Sequence, residues 1–382
     1  MSRSKILIAG GGTGGHVFPA IAVGDALQAL ADVDIVFCGT VRGIEARIVP
    51  ARGWPLEQLH VEPMKGRRGA QRVRAVIVAG SATARAFGLL SRLPPHAVLS
   101  VGGYASGPVT LAAALRRIPV AVLEPNRIIG LANLLISPFA KRAYVAWDEA
   151  AIRFRRTARR AYGVPLRRGF APCPYTARGT ARVLVMGGSQ GSAALNERMP
   201  GAIARLAGSI RELEVVHQAG HDRDAAVRSA YERQGVQRVV VVPFLDDVAA
   251  AIADADVVVA RAGAVTIAEI AAIGRAAILV PYPHAADDHQ GHNADALALA
   301  GAAICVRQKA ADPARLATEI ERLLHDDAVR ASIADAARSR GKPTAAIDIA
   351  TDLLDMAGVD ERKHRVDGDL GYPHAPLDRQ VG

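Results

Sequence analysis

The stretch AGGGTGGHVFPA, residues 9–20, places glycines at 10, 12 and 15 and an imidazole, His16, where an apolar run gives way to a helical pattern. Gly10, Gly12 and Gly15 satisfy the form G-x-G-x-x-G, whose chemistry is close approach of backbone N–H groups to a diphosphate at a helix N-terminus. A nicotinamide dinucleotide site also needs an acid at the end of the second strand, for the ribose hydroxyls. Here that strand runs out in VFCGT, with Gly39 and Thr40 where the acid belongs, Asp34 too early and Glu45 beyond. A dinucleotide oxidoreductase is therefore disfavoured. His16 has two readings: it donates a hydrogen bond to phosphate at the helix start, or, with an ordinary pKa of about 6.5, it serves as a general base near neutrality.

A second constellation occupies residues 253–294, where a strand, a turn of small residues and a helix starting near Val265 are predicted. Glu269 falls in the first turns of that helix, where a carboxylate accepts both hydroxyls of a ribose or simply complements the helix dipole. Thr266 and the amides of the turn are placed for phosphate. Aspartates cluster at Asp246–Asp247, Asp254–Asp256 and Asp287–Asp288. Each pair lies in a turn or at a helix end, where Asp caps, so no catalytic metal is expected from them. Cys38, Cys173 and Cys305 lack CxxC spacing and read as buried thiols of a reducing compartment.

The elements that must position these residues follow from composition and patterning. The chain has 382 residues, enough for two domains, and is half apolar but only 4% aromatic. Cores of Ala, Val, Leu and Ile suit buried parallel sheets covered by helices. Strand-like runs are predicted at Lys5–Ala9, Asp34–Cys38, Ala97–Val101, Val120–Leu123 and Ala143–Val145. The second half repeats the pattern at Arg182–Met186, Leu213–Gln218, Val239–Pro243, Val257–Ala260 and Ala277–Val280, and its GGSQGS turn echoes GGGTGG. Alternation with amphipathic helical stretches predicts βαβ units in two doubly wound α/β domains, 1–162 and 163–340, facing across a cleft. Residues 162–180 read as a linker, a helix at about 341–358 is expected to pack back on the first domain, and 361–382 read as a flexible tail. No secretory leader and no apolar run of spanning length is seen. The net charge of +10 suits an acidic partner or an Arg-rich genome. No zinc-finger or RNA-binding motif accompanies it, so nucleic acid is not expected.

Seven stretches, in order over about residues 5–300, together resemble the MurG family of bacterial N-acetylglucosaminyltransferases: GGGTGGHVFPA (10–20), VGGYASGP (101–108), GLANLLIS (130–137), GGSQGSAALN (187–196), HQAG (217–220), RAGAVTIAEI (261–270) and DHQGHNA (288–294). The resemblance implies a GT-B fold and inverting transfer of N-acetylglucosamine from UDP-N-acetylglucosamine to undecaprenyl-diphosphate-linked muramoyl-pentapeptide. It implies peripheral attachment to the cytoplasmic face of the inner membrane, an anionic surface and other cell-wall synthesis proteins as partners, and no obligatory cofactor. By the same resemblance Glu269 is the ribose-binding acid, with Ala264, Val265, Thr266, Ile267 and Ala268 beneath the diphosphate. Ser189 touches phosphate, the main chain of Leu245 reads the uracil edge, Arg167 reaches the nucleotide from the linker, and Gln290, seconded by Asn293, holds sugar hydroxyls. Thr13, Gly14, Gly15 and Asn126 complete the donor site from the first domain. His16 is the candidate general base; Tyr104 and Glu124 are secondary candidates in the acceptor pocket. Pro125 replaces the glutamine often found between Glu124 and Asn126, removing a donor and restricting Glu124 to extended backbone.

In residues 65–90, Lys65, Arg67, Arg68, Arg72 and Arg74 precede Val73, Val76, Ile77, Gly80, Ala84 and Phe87 at helical spacing. Basic residues beside an apolar face suit anionic lipid; the face itself is expected to pack on the sheet, leaving Val78 and Leu89–Leu90 for lipid. Two rival readings remain: a UDP-N-acetylglucosamine 2-epimerase, which needs no lipid, and a scaffold that binds the lipid carrier without turnover.

Overall fold

The computed structural model describes residues 3–41, 43–61, 70–152, 154, 157–175 and 179–361, with side chains omitted for 70–76. Lys65, Arg67 and Arg68, the side chains of Arg72 and Arg74, and the tail from 362 lie outside that description.

In the first unit Ser4–Ala9 (β1) leads to Gly14–Leu30 (α1), Val33–Thr40 (β2), Glu45–Ala51 (α2) and Leu56–Leu59 (β3). Ala70–Arg92 (α3), Ala97–Ser100 (β4), Ser106–Leu115 (α4), Val120–Glu124 (β5) and Leu131–Ile136 (α5) follow. Arg142–Val145 (β6), the single turn Asp148–Ala151 (α6) and Ala158–Arg160 (β7) complete the sheet. Among the described residues its seven strands run in the order β3-β2-β1-β4-β5-β6-β7, and every pairing is parallel. Residues of β4 and β5 are buried throughout, as expected of central strands covered on both faces.

The second unit begins with Ala181–Met186 (β8), Ala193–Leu206 (α7), Leu213–Gln218 (β9), Asp224–Arg233 (α8) and Val239–Val242 (β10). It continues through Val248–Asp254 (α9), Val257–Ala260 (β11), Ala264–Ile273 (α10), Ala276–Leu279 (β12) and His289–Leu299 (α11). Ile304–Cys305 (β13), Pro313–His325 (α12) and Asp327–Arg338 (α13) close it. The order β10-β9-β8-β11-β12-β13 is again all parallel. Both sheets are doubly wound with the same reversal, at β1/β4 and at β8/β11. β10 stops one residue short of the expected Pro243, which has no N–H to give a ladder.

The last helix among the described residues, Ala345–Ala357 (α14), belongs to the first unit, which runs to Arg168 and resumes at Pro343. Ala346, Ile349, Ala350, Leu353 and Leu354 join the core beside α1 and β1. Full burial of each of the larger residues contributes about 1.5–3 kcal/mol. Asp352 fastens the helix further, accepting from Arg142 Nε at 3.1 Å, Tyr144 Oη at 2.9 Å and Arg160 Nε at 3.3 Å.

Two expectations are corrected here. The unit boundary falls after Arg168, not at 162/163. Tyr162 stacks on Tyr144 with ring centroids 6.1 Å apart, and the Arg167 guanidinium lies 5.1 Å from the Phe18 ring of α1, so this segment is held to the first sheet. The faces of α3 are also reversed. Ala82, Ala86, Leu89 and Leu90 pack inward with Val109, Ala112 and Ala113 of α4. Ile77, at 66% exposure, and Phe87, at 42%, point outward with Gly80 and Ala84. Small alanines let α3 approach α4 closely, so the larger side chains of the expected inner face are the ones left outside.

Candidate active site

In open parallel sheets ligands lie beyond the carboxyl ends of the strands, at the point where strand order reverses. Six of the seven motifs follow the carboxyl end of a strand, β1, β4 and β5 in the first unit and β8, β11 and β12 in the second, and HQAG spans the end of β9.

The loop after β1 is held by its backbone. Gly10 N–H donates to Cys38 O at 2.9 Å, and Gly11 N–H to Gly102 O at 3.3 Å. Gly10 has φ of 138° and lies so close to Gly102 that a Cβ there would enter its carbonyl. Thr13 is the N-cap of α1, and its side chain makes no capping bond. His16 and Val17 N–H both donate to Thr13 O at 3.1 Å. The amides of Gly14 and Gly15 precede these bonds at the positive end of the helix, where an anion is stabilised. Gly12 departs from the expected pattern: its N–H turns inward to Glu45 Oε2 at 2.8 Å.

His16 is half-buried, with Nδ1 3.5 Å from Thr13 Oγ1. Its ring lies over Gly102, where an added Cβ would come within 3.1 Å of Nε2. Tyr104, 55% exposed, stands two residues further along the same turn. The structure thus brings His16 against the loop that carries Tyr104.

Glu124 has a different situation from a solvent-facing acid. Its carboxylate is buried and accepts from Asn126 N at 3.1 Å, Asn126 Nδ2 at 3.3 Å, Gly130 N at 2.9 Å and Asn133 Nδ2 at 3.0 Å. Burial raises its pKa, and these four bonds oppose the rise. Glu124 therefore shapes the turn between β5 and α5 and orients Asn126. Pro125 is compatible with this because β5 already holds Glu124 in extended conformation.

In the second unit the turn after β8 carries Ser189, half-buried, and ends at Ser192, the N-cap of α7, whose side chain accepts from Leu195 N at 3.3 Å. HQAG supports it from β9. Gln218 Nε2 donates to Gly188 O at 2.9 Å, and Asn196 Nδ2 donates to Ala219 O at 2.9 Å. Asn196 Oδ1 then accepts from His217 Nε2 at 3.1 Å, so Nδ1 of that ring accepts from Tyr231 Oη at 2.9 Å. His217 is fully buried, and burial lowers its pKa to about 4, keeping the imidazole neutral.

The helix expected near Val265 starts at Ala264, with Gly263 as N-cap. Ile267 N–H makes the first bond back to Gly263 O, at 3.0 Å, leaving the amides of Ala264, Val265 and Thr266 at the open end. Ala264 and Ile267 bury their side chains, whereas Val265, Thr266 and Ala268 are half-buried. Glu269 is 6% exposed, in the second turn. Leu245 is half-buried in the loop after β10. Gln290 Oε1 accepts from Tyr282 N–H at 3.0 Å, which ties the start of α11 to the segment after β12; Asn293 is fully buried. Arg167 does not belong to this unit; it stands in the first, over Phe18. Among the described residues no group of three or more His, Cys, Asp or Glu side chains is arranged to hold a metal ion.

Sequence reasoning assigned no role to Glu45, Asn133, Asn196, His217 or Arg261. Arg261 is buried at the end of β11, donating to Val280 O at 3.0 Å and Pro281 O at 3.3 Å. Four of these five lie inside the quoted motifs, which was the available signal; Glu45 lies outside all of them.

Residues 6–145 match the model of the glycosyltransferase family 28 N-terminal domain, and residues 182–349 that of the family 28 C-terminal domain. The chain is 53% identical over 92% of its length, and 88% of the relative's, to the UDP-N-acetylglucosamine--N-acetylmuramyl-(pentapeptide) pyrophosphoryl-undecaprenol N-acetylglucosamine transferase of Sorangium cellulosum. The crystal structure of Acinetobacter baumannii MurG is similar at TM-score 0.76 and 32% identity, covering 92% of this chain and 99% of that one. A UDP-GlcNAc 2-epimerase from Neisseria meningitidis, bound to UDP-GlcNAc, shares the fold alone, at TM-score 0.61 and 12% identity over 93% of this chain and 100% of that one.

Proposed function

The chain belongs to glycosyltransferase family 28, and on that premise we propose that it transfers N-acetylglucosamine, with inversion, from UDP-N-acetylglucosamine to the muramoyl C4 hydroxyl of undecaprenyl-diphospho-N-acetylmuramoyl-pentapeptide. The observation that carries this reading is continuous similarity to the Sorangium transferase through both domains. The epimerase reading has only a shared fold behind it.

The acceptor hydroxyl attacks C1 of the donor sugar, the C1–oxygen bond to the diphosphate breaks, and UDP leaves with the electron pair. The hydroxyl proton passes to His16, whose neutral imidazole is a base of suitable strength near neutrality. The open N-terminus of α1, at Gly14 and Gly15, suits a diphosphate; with Thr13 and Asn126 these residues are assigned to the donor, and Tyr104 with His16 to the acceptor. In the second unit, Ser189 with the N-terminal amides of α7 and α10 stabilises the charge growing on UDP. Glu269 takes the ribose hydroxyls, the Leu245 main chain the uracil edge, and Gln290 the sugar hydroxyls. No metal is required, because helix termini supply the positive potential. Arg167, anchored on Phe18, acts from the first unit's side of the linker.

The enzyme works as a peripheral protein on the cytoplasmic face of the inner membrane. The exposed Ile77 and Phe87 of α3, with Leu134, Leu135 and Phe139 beyond β5, support contact with a bilayer surface through apolar side chains. Among the described residues no helix is long and apolar enough to cross a membrane.

The test is to give purified protein labelled UDP-N-acetylglucosamine, with and without a short-chain lipid-linked muramoyl-pentapeptide, in EDTA. Acceptor-dependent UDP release with a disaccharide-lipid product is expected. Conversion of the donor without acceptor would instead establish epimerase chemistry, and tight UDP binding without turnover, with metal restored, a scaffold.

A further inference from the structure

Glu45 is 0% exposed and stands at the first position of α2, away from every motif described above. Its Oε2 accepts from Gly12 N–H at 2.8 Å, and its Oε1 accepts from Thr40 N–H at 2.9 Å and Thr40 Oγ1 at 2.8 Å. Three glycines from separate segments make room for it. A Cβ on Gly11, Gly39 or Gly43 would collide with the Glu45 side chain. Gly11 belongs to the loop after β1, Gly39 to the end of β2 and Gly43 to the turn before α2. The acid therefore fills a cage walled on three sides by glycine, with the Thr40 hydroxyl as a donor, and it joins the ends of β1 and β2.

A carboxylate suits this place because it is an acceptor on both oxygens and here meets three donors. A carboxamide would point its NH₂ at one of them. The bond to Gly12 also fixes the orientation of the Gly11–Gly12 peptide. Gly11 N–H in turn donates to Gly102 O, and Gly11 O faces Gly103, in the turn that leads to Tyr104. One buried side chain thus holds the β1 loop in register with the β4 loop, and with them Thr13, His16 and Tyr104.

We propose that Glu45 is a positioning residue for transfer: it turns the Gly12 amide away from ligand and sets the start of α1, with the Gly14 and Gly15 amides and the His16 ring, in the geometry that transfer requires. This rests on the transfer reading given above. Glu45 touches no substrate, and the donor residues Glu269 and Gln290 belong to the other unit. UDP itself is assigned to Ser189, Leu245 and Glu269 of that unit, so loss of Glu45 should act on turnover and leave UDP affinity unchanged. A misplacement of about 1 Å at a reacting group lowers rate by about 100-fold.

The experiment compares wild type with Glu45→Gln for kcat, KM for UDP-N-acetylglucosamine, UDP affinity by calorimetry, and amide hydrogen exchange over residues 10–17. Expected in Glu45→Gln is a fall in kcat of about 100-fold, unchanged UDP affinity, and faster exchange at Gly12 to His16. A variant with wild-type kcat and wild-type exchange overturns the proposal. So does one that melts earlier yet turns over normally when folded, since that is a merely structural role. If Glu45→Gln does not fold, Thr40→Val, which removes one of the three bonds and keeps the shape, is read in the same way. A smaller fall in kcat with faster loop exchange supports the proposal, and the absence of both changes overturns it. If wild type itself forms no disaccharide-lipid, the transfer reading fails separately, and the exchange comparison still decides whether Glu45 orders the loop.

Discussion

His16 and Glu269 sit at comparable places, near the start of a helix behind a short turn, yet chemistry assigns them opposite tasks. An imidazole that accepts the acceptor proton must be neutral, so activity rises with pH through its titration and loses that rising limb when the ring is removed. His16→Ala is expected to lower kcat by ~10²–10⁴ with donor KM unchanged. A fall below about tenfold with an unaltered pH–rate profile would leave it only a phosphate ligand. Glu269 is buried except for its 6%, so its carboxylate loses little further solvation when ribose arrives. Charge-assisted hydrogen bonds contribute about 1.5–3 kcal/mol, so Glu269→Ala should weaken UDP binding by roughly 10- to 100-fold in calorimetry.

At the scale of elements, the site consists of turns, and each turn is supported from a neighbouring strand. Gln218, Asn196 and His217 hold the turn after β8 in the second unit; Glu45 and Glu124 hold two turns of the first. His217 makes this support sensitive to pH. Its folded pKa, about 4, lies below the ordinary value of 6.5, so between these values the unfolded chain binds the extra proton. The stability it contributes is complete above pH 6.5 and is lost as pH falls toward 4, with a total on the order of 3 kcal/mol. The urea midpoint of wild type should therefore drop across this window. In His217→Asn, less stable at pH 7 but with no ring to protonate, it should drop less. Equal slopes for both proteins would show that His217 does not carry the effect.

For the molecule as a whole, the outward face of α3 and the return of α14 matter most. Ile77 and Phe87 are exposed on a helix whose inner face is already filled by Ala82, Ala86, Leu89 and Leu90, so changing them should leave the core intact. Ile77→Asp with Phe87→Asp is expected to reduce co-sedimentation with vesicles containing anionic lipid. Turnover on a short-chain acceptor should be unchanged, and undiminished vesicle binding would remove α3 from the membrane surface. α14 closes the first unit after the second has intervened, through six buried apolar residues and the Asp352 cluster.

The sequence by itself determined the two parallel sheets, because fully buried strands of Val, Ile, Leu and Ala are continuous apolar runs whatever surrounds them. It also determined the glycine turns at their ends, since positive φ and close backbone approach admit no other residue there. It missed β3, β7 and β13, short strands of four, three and two residues whose identity comes from the neighbour they pair with. Only the tertiary structure decided which face of α3 is inside, because alanine reads as apolar on either face and packing selects the one that fits. Only it showed that Glu45, Glu124 and His217 are buried acceptors and donors under the loops, since a hydrogen bond across 33 residues, as from Gly12 to Glu45, leaves no local pattern in the chain.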